Sequence, residues 1–148
     1  MQISLWRRVA GHPRMVFGKV ADIAHWPQMV RSITNVAILD LGPIREGTRI
    51  IETRFMYGRE VTEELLVTDF KPPHRLRVAV HTTTLLCERD HLVDAMAGGG
   101  SRLSLVFRAR PTSLTHKGVL PFMPFLEVNL RDELERDLED FVTAVHSQ

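Results

Sequence analysis

The amino-acid sequence predicts an α+β chain: a curved antiparallel sheet of seven strands around one long C-terminal helix, with two short helices after the first strand. Three observations carry this. Leu130, Leu134, Leu138, Phe141, Val142 and Val145 recur at spacings of four and three, with charges of alternating sign between them, which is one apolar stripe on a helix. From Thr48 onward the apolar period is instead two, the alternation of strands with one face buried. The breaks between those runs are short, so successive strands pair antiparallel, and helices segregated from strands make the class α+β. Seven strands with one apolar face must curl that face around a partner, and the final helix is the only element long enough.

Residues 2 to 9 alternate with Ile3, Leu5 and Val9 on one side and form the first strand. Gly11-His12-Pro13 stops it, and Pro13 suits the first helical position because its missing N–H has no partner there anyway. Val16, Val20 and Ile23 give the following helix an apolar side, with its end near Asp22. Trp26-Pro27 turns the chain into a second short helix over Pro27 to Ser32. Val36, Ile38 and Leu39 form the second strand, and Gly42-Pro43 and Gly47 bracket a loop. On the third strand Ile51, Thr53, Phe55 and Tyr57 share one face; Ile50, Glu52, Arg54 and Met56 share the other. Gly58 makes the hairpin turn, after which Val61, Glu63, Leu65 and Val67 alternate with polar neighbours. Lys71-Pro72-Pro73-His74 breaks the chain before Leu76, Val78 and Val80. Residues 76 to 96 hold no Gly, Pro or Asn, yet they are too long for one strand, so a turn is expected within Thr84 to Arg89. Gly98-Gly99-Gly100 is a turn, Leu103 to Ala109 the last strand, and Pro111 its end. The final helix runs from Pro124 in its first turn to His146, about 35 Å at 1.5 Å per residue.

The chain has 148 residues, enough for one domain with a real core, and is 44% hydrophobic and 25% charged. Its net charge of +1 is dispersed, which argues against a nucleic-acid partner. Cys87 is the only cysteine, so no internal disulfide forms. No leader-like start and no run of about 20 apolar residues is present, so a cytoplasmic location without stable membrane insertion is the expectation.

Several stretches, in order and spacing across the whole chain, resemble the START/Bet v 1-like superfamily (SRPBCC), and within it the bacterial polyketide cyclase/dehydrase and lipid-transport group. They are Gly11-His12-Pro13-Arg14-Met15-Val16-Phe17, Val20-Ala21-Asp22-Ile23-Ala24-His25-Trp26-Pro27, Gly47-Thr48-Arg49, Asp69-Phe70-Lys71-Pro72-Pro73-His74-Arg75-Leu76 and Gly99-Gly100-Ser101-Arg102-Leu103. The resemblance implies one ligand-binding domain over residues 1–148 with a helix-grip fold and an elongated apolar cavity between sheet and helix. It implies a lipid, isoprenoid or polyketide-like ligand and, in some members, a cyclase activity; its motifs are structural and carry over no catalytic residue to this chain.

The residues themselves suggest what lines such a cavity. Leu130 and Leu134 face the sheet across from Ile51, Phe55, Leu65, Val78 and Leu105. Phe107 and His91 join that lining, Met123 offers an adaptable contact, Tyr57 a hydroxyl, and Trp26 either closes a mouth or anchors the short helix. Glu63 falls among Val61, Leu65 and Val67; pointing inward, it would be protonated or paired and could act as a general acid/base, whereas a slip of one residue turns it outside. The seven histidines lack metal-ligand spacing; His81 and His91 would face each other if the chain turned near Leu86. No metal or cofactor is expected, and the oligomeric state is open. Binding or transport of a hydrophobic small molecule is the leading expectation, a polyketide cyclase/dehydratase the second. A regulatory interaction module, using an apolar patch at Leu120, Phe122 and Phe125, is the third.

Overall fold

The computed structural model describes residues 1–112 and 123–147, and the side chains of the last helix from Asn129 onward. Strand β1 (Gln2–Val9) leads into helix α1 (Pro13–Val20), a 3₁₀ turn (Ile23–His25) and helix α2 (Trp26–Met29). Six strands follow: β2 (Ile33–Ile38), β3 (Arg49–Met56), β4 (Arg59–Lys71), β5 (Arg75–His81), β6 (Leu85–Ala95) and β7 (Ser101–Pro111). Helix α3 (Met123–His146) closes the fold. The seven strands form one antiparallel sheet in the order β1-β7-β6-β5-β4-β3-β2, as the short turns require.

Local chemistry sets the ends. Pro13 opens α1, and the ring of His12 accepts the Arg14 N–H at 3.3 Å as its cap. The second helix starts at Trp26, one residue before the expected Pro27, and ends at Met29, earlier than the expected Ser32. The β3–β4 hairpin turns on Tyr57 and Gly58, both at positive φ, which matches the twist of the strands it joins. At Gly100, φ is +75° and a Cβ would stand 2.8 Å from the Val9 carbonyl, so glycine alone fits. The β5–β6 turn lies at Thr82–Thr84 and meets the expected span, Thr84 to Arg89, only at Thr84. The Thr82 hydroxyl accepts the Thr84 and Leu85 N–H groups, doing the work usually left to Asn or Asp. In consequence His81 pairs with Leu86 and His91 with Leu76, and the two histidines do not face each other.

Helix α3 is clamped along its length. Arg7 of β1 bridges Glu135 and Glu139, Arg31 holds Asp140, and Lys19 of α1 donates to the carbonyls of Ala144 and Ser147 at the helix C-terminus. Its second half sits on a dense core of Val16, Val20, Ile23, Trp26, Leu76, Val93, Leu103, Leu138, Phe141 and Val145. That core occupies the end of the sheet near α1. The opposite end, where the β3–β4 and β5–β6 hairpins have their tips, is built differently.

Candidate functional site

Between those hairpin tips and the first half of α3 lies a cavity of about 220 Å³. Met56, Val80, Leu85, Cys87, Phe107, Leu130 and Leu134 make its walls apolar. Tyr57, Glu63 and Glu133 also border it. The ladder between β4 and β5 runs only from Leu66↔Ala79 to Lys71↔Arg75, so the two hairpin tips share no ladder there.

The floor is a chain of charges. Arg54 donates to Glu52 at 3.2 Å and to Asp137 at 2.8 Å; Arg89 donates to the other oxygen of Glu52 at 2.9 Å. Ser32 Oγ accepts from Arg54 at 3.3 Å and donates to Asp137 at 3.1 Å. Two guanidiniums and two carboxylates are thus taken out of water together, with hydrogen bonds on most of their polar atoms, the condition under which buried ions are tolerated. Burial opposes the charge of Glu52, but Arg89 and Arg54 outweigh it and its pKa falls below the usual carboxylate value. Burial likewise opposes the Arg54 charge, yet Asp137 and Glu52 drive its pKa up.

Below this chain a void of about 10 Å³, the size of one water, is bordered by Trp26, His91, Leu105 and Phe141. The His91 ring stacks on Trp26 with centroids 5.1 Å apart and meets the edge of Phe141. Among the described residues its Nδ1 has no hydrogen-bond partner. Burial, then the nearby Arg89 charge, lower its pKa to about 3, so the ring is neutral. Cys87 is pushed up to about 11 by burial and by Glu63, so its thiol is not ionised.

The residues expected at the cavity divide into groups. Tyr57, Phe107, Leu130 and Leu134 line it. Trp26, His91 and Leu105 line the small void, which Leu134 also borders. Trp26 is an anchor, its Nε1 donating to the Val20 carbonyl at 2.9 Å. Leu65 and Val78 are buried in the core. Ile51 and Phe55 are corrections: they point to the other face of the sheet, where Phe55 is 52% exposed. The hairpin register pairs Phe55 with Glu60 and Glu52 with Glu63, so the inward face of β3 carries Ile50, Glu52, Arg54 and Met56. Glu63 borders the cavity, and of the two states expected of it, protonated or paired, the paired one is not seen: it accepts no hydrogen bond and joins no ion pair among the described residues. Met123 opens α3; its side chain lies outside the described residues, as do Leu120, Phe122 and the side chain of Phe125.

Pattern reading missed the Arg54–Glu52–Arg89–Asp137 chain because alternating charges on a strand read as a solvent face. The signal was present in the two-residue turn at Tyr57-Gly58, which puts Glu52 on the same face as Glu63.

No protein-family model matches the chain, and no curated protein matches it. Solved structures match in fold. Zhui aromatase/cyclase from Streptomyces sp. R1128 superposes with a TM-score of 0.80 at 13% identity, over 98% of this chain and 93% of that one. The di-domain ARO/CYC BexL from the BE-7585A biosynthetic pathway gives 0.79 at 15% identity, over 100% of this chain and 50% of BexL, so the chain spans about half of BexL's length. A START superfamily protein from Mycobacterium smegmatis gives 0.63 at 12% identity, over 91% of this chain and 97% of that one. The fold is therefore the helix-grip fold that these START superfamily and aromatase/cyclase structures share. No described helix is long and apolar enough to cross a membrane.

Proposed function

We propose that the protein binds a compact, mostly apolar small molecule in the cavity between the hairpin tips and the first half of α3. The observation that carries this is the cavity itself: about 220 Å³ with apolar walls over a charged floor, against about 10 Å³ for the void in the neighbouring core. Its size is below the roughly 300–1,000 Å³ of drug-sized sites, which favours a small ligand over a two-chain lipid. The charged floor gives the ligand a defined polar end and supports selective binding over mere partition. An enzyme of the polyketide cyclase/dehydratase type is the second reading. It is favoured by Glu63, a carboxylate bordering an apolar cavity, and by the aromatase/cyclase Zhui among the fold neighbours.

The test is titration with an environment-sensitive apolar dye, alongside native mass spectrometry of protein purified without detergent. Wild type is expected to bind the dye saturably. Leu130→Trp, whose ring enters the cavity from α3, is expected to lose at least ten-fold in dye affinity while unfolding cooperatively. Absence of dye binding by the wild type, or unaltered binding by Leu130→Trp, would reject the reading.

A further inference from the structure

We infer that the molecule taken by this cavity carries a cationic group, a protonated amine on an apolar body, and that Glu63 receives it. This rests on the binding reading above and names the ligand's chemical class. The argument is one of charge. Among the described residues, the cavity borders four carboxylates and two guanidiniums. Both guanidiniums are already engaged: Arg54 with Glu52 and Asp137, Arg89 with Glu52. Glu133 has Arg136 as its own partner. Glu63 is what is left, half-buried, without an ion-pair partner among the described residues. It stands directly opposite Glu52 in the β3–β4 ladder, so its cross-strand neighbour is a carboxylate and not a cation.

An anionic head group fits this arrangement poorly. To reach Arg54 it would have to displace Glu52 or Asp137, stranding a buried carboxylate, and at Arg89, which gives one N–H to Glu52, it would meet the charge of that carboxylate. A cation needs no such rearrangement. It gains a charge-assisted hydrogen bond from an acceptor that is free and partly desolvated, where an ion pair is stronger than in water. Tyr57 at the border adds an aromatic face that also favours a cation. The thiol of Cys87 already registers the Glu63 charge, which opposes thiolate formation there.

The experiment is competition against the bound dye at pH 7 by three molecules with one hydrocarbon chain: decylamine, decanol and decanoate. Decylamine is expected to displace dye at concentrations at least ten-fold below decanoate, with decanol between them. Glu63→Gln, which keeps the shape of the side chain, is expected to erase most of the preference for the amine and leave decanol unchanged. Glu64→Gln, on the exposed side of the same strand, is expected to keep it. Dye binding without preference for the amine, or a preference that survives Glu63→Gln, overturns this inference and leaves the binding reading intact. Equal loss in Glu64→Gln also overturns it, because the preference would then come from bulk charge. If no apolar probe binds the wild type, the binding reading fails and the inference falls with it.

Discussion

His91 shows how much one side chain depends on its surroundings. On sequence it is a strand histidine among seven. In the fold it is buried against Trp26 and Phe141, beside a void the size of one water, and its Nδ1 has no hydrogen-bond partner among the described residues. Its folded-state pKa is depressed to about 3, by burial first and by Arg89 second, from an ordinary value of 6.5. Between those values the unfolded chain holds a proton that the folded chain refuses. The contribution to stability is therefore complete above about pH 6.5 and is lost as pH falls toward 3, at about 1.4 kcal/mol per pH unit. Glu52, whose pKa is also depressed, adds a loss of its own only below its ordinary value of 4.5. The window from pH 6.5 to 4.5 thus belongs mainly to His91. Replacing His91 by Phe should flatten the stability profile in that window, and by pH 5 spare about 2 kcal/mol of the wild-type loss. Urea unfolding at half-unit pH steps measures it. A variant with the wild-type slope would show that His91 is not the group responsible. Any packing cost of the larger ring is the same at each pH and leaves the slope unaffected.

Helix α3 was the most legible element, and its two halves nevertheless do different work. Leu138 and Phe141 are buried in the dense core, Leu134 borders both voids, and Leu130 is half-buried over the cavity. Leu138→Ala should cost about 2–5 kcal/mol because a void opens in a filled region. Leu130→Ala should cost about 1 kcal/mol, since it removes only part of a side chain that already faces empty space. Comparing urea midpoints at unchanged slope decides it, and equal losses would mean that the first half of the helix is packed as tightly as the second. The helical stripe, the period of the strands and the glycine turn at Gly98–Gly100 were all readable because each is a local pattern with a local cause. Two things were not. The β5–β6 turn has no glycine or asparagine and depends on the Thr82 hydroxyl. The inward face of β3 was misassigned because Ile51 and Phe55 look more like core than Glu52 and Arg54 do. Hairpin register outweighs that preference once Asp137 and Arg89, distant in sequence, supply the partners. The site's charged floor is therefore a tertiary property, visible only when β3, β6 and α3 are brought together.

Taken whole, the molecule is solid at one end and hollow at the other, and that division predicts where binding is felt. At the solid end α1, the Trp26 cluster and the second half of α3 fill the sheet. At the hollow end the β3–β4 and β5–β6 tips have no mutual ladder beyond Leu66↔Ala79. Backbone with few buried neighbours and few cross-strand bonds opens locally at low cost, so amides at the tips, residues 56–60 and 82–86, should exchange faster than those of the ladders behind them. An apolar ligand that binds only the closed tips opposes that opening by mass action, by about 2.7 kcal/mol at a concentration 100-fold above its dissociation constant. Hydrogen exchange with decylamine or with the dye should therefore slow at the tips by up to about 100-fold. The turns at the far end, residues 42–47 and 97–100, open without disturbing the cavity and should keep their rates. Protection centred on those far turns, or spread evenly over both ends, would place the ligand elsewhere. Protection confined to the tips and the first turns of α3 would locate binding where the charged chain and Glu63 border the open space.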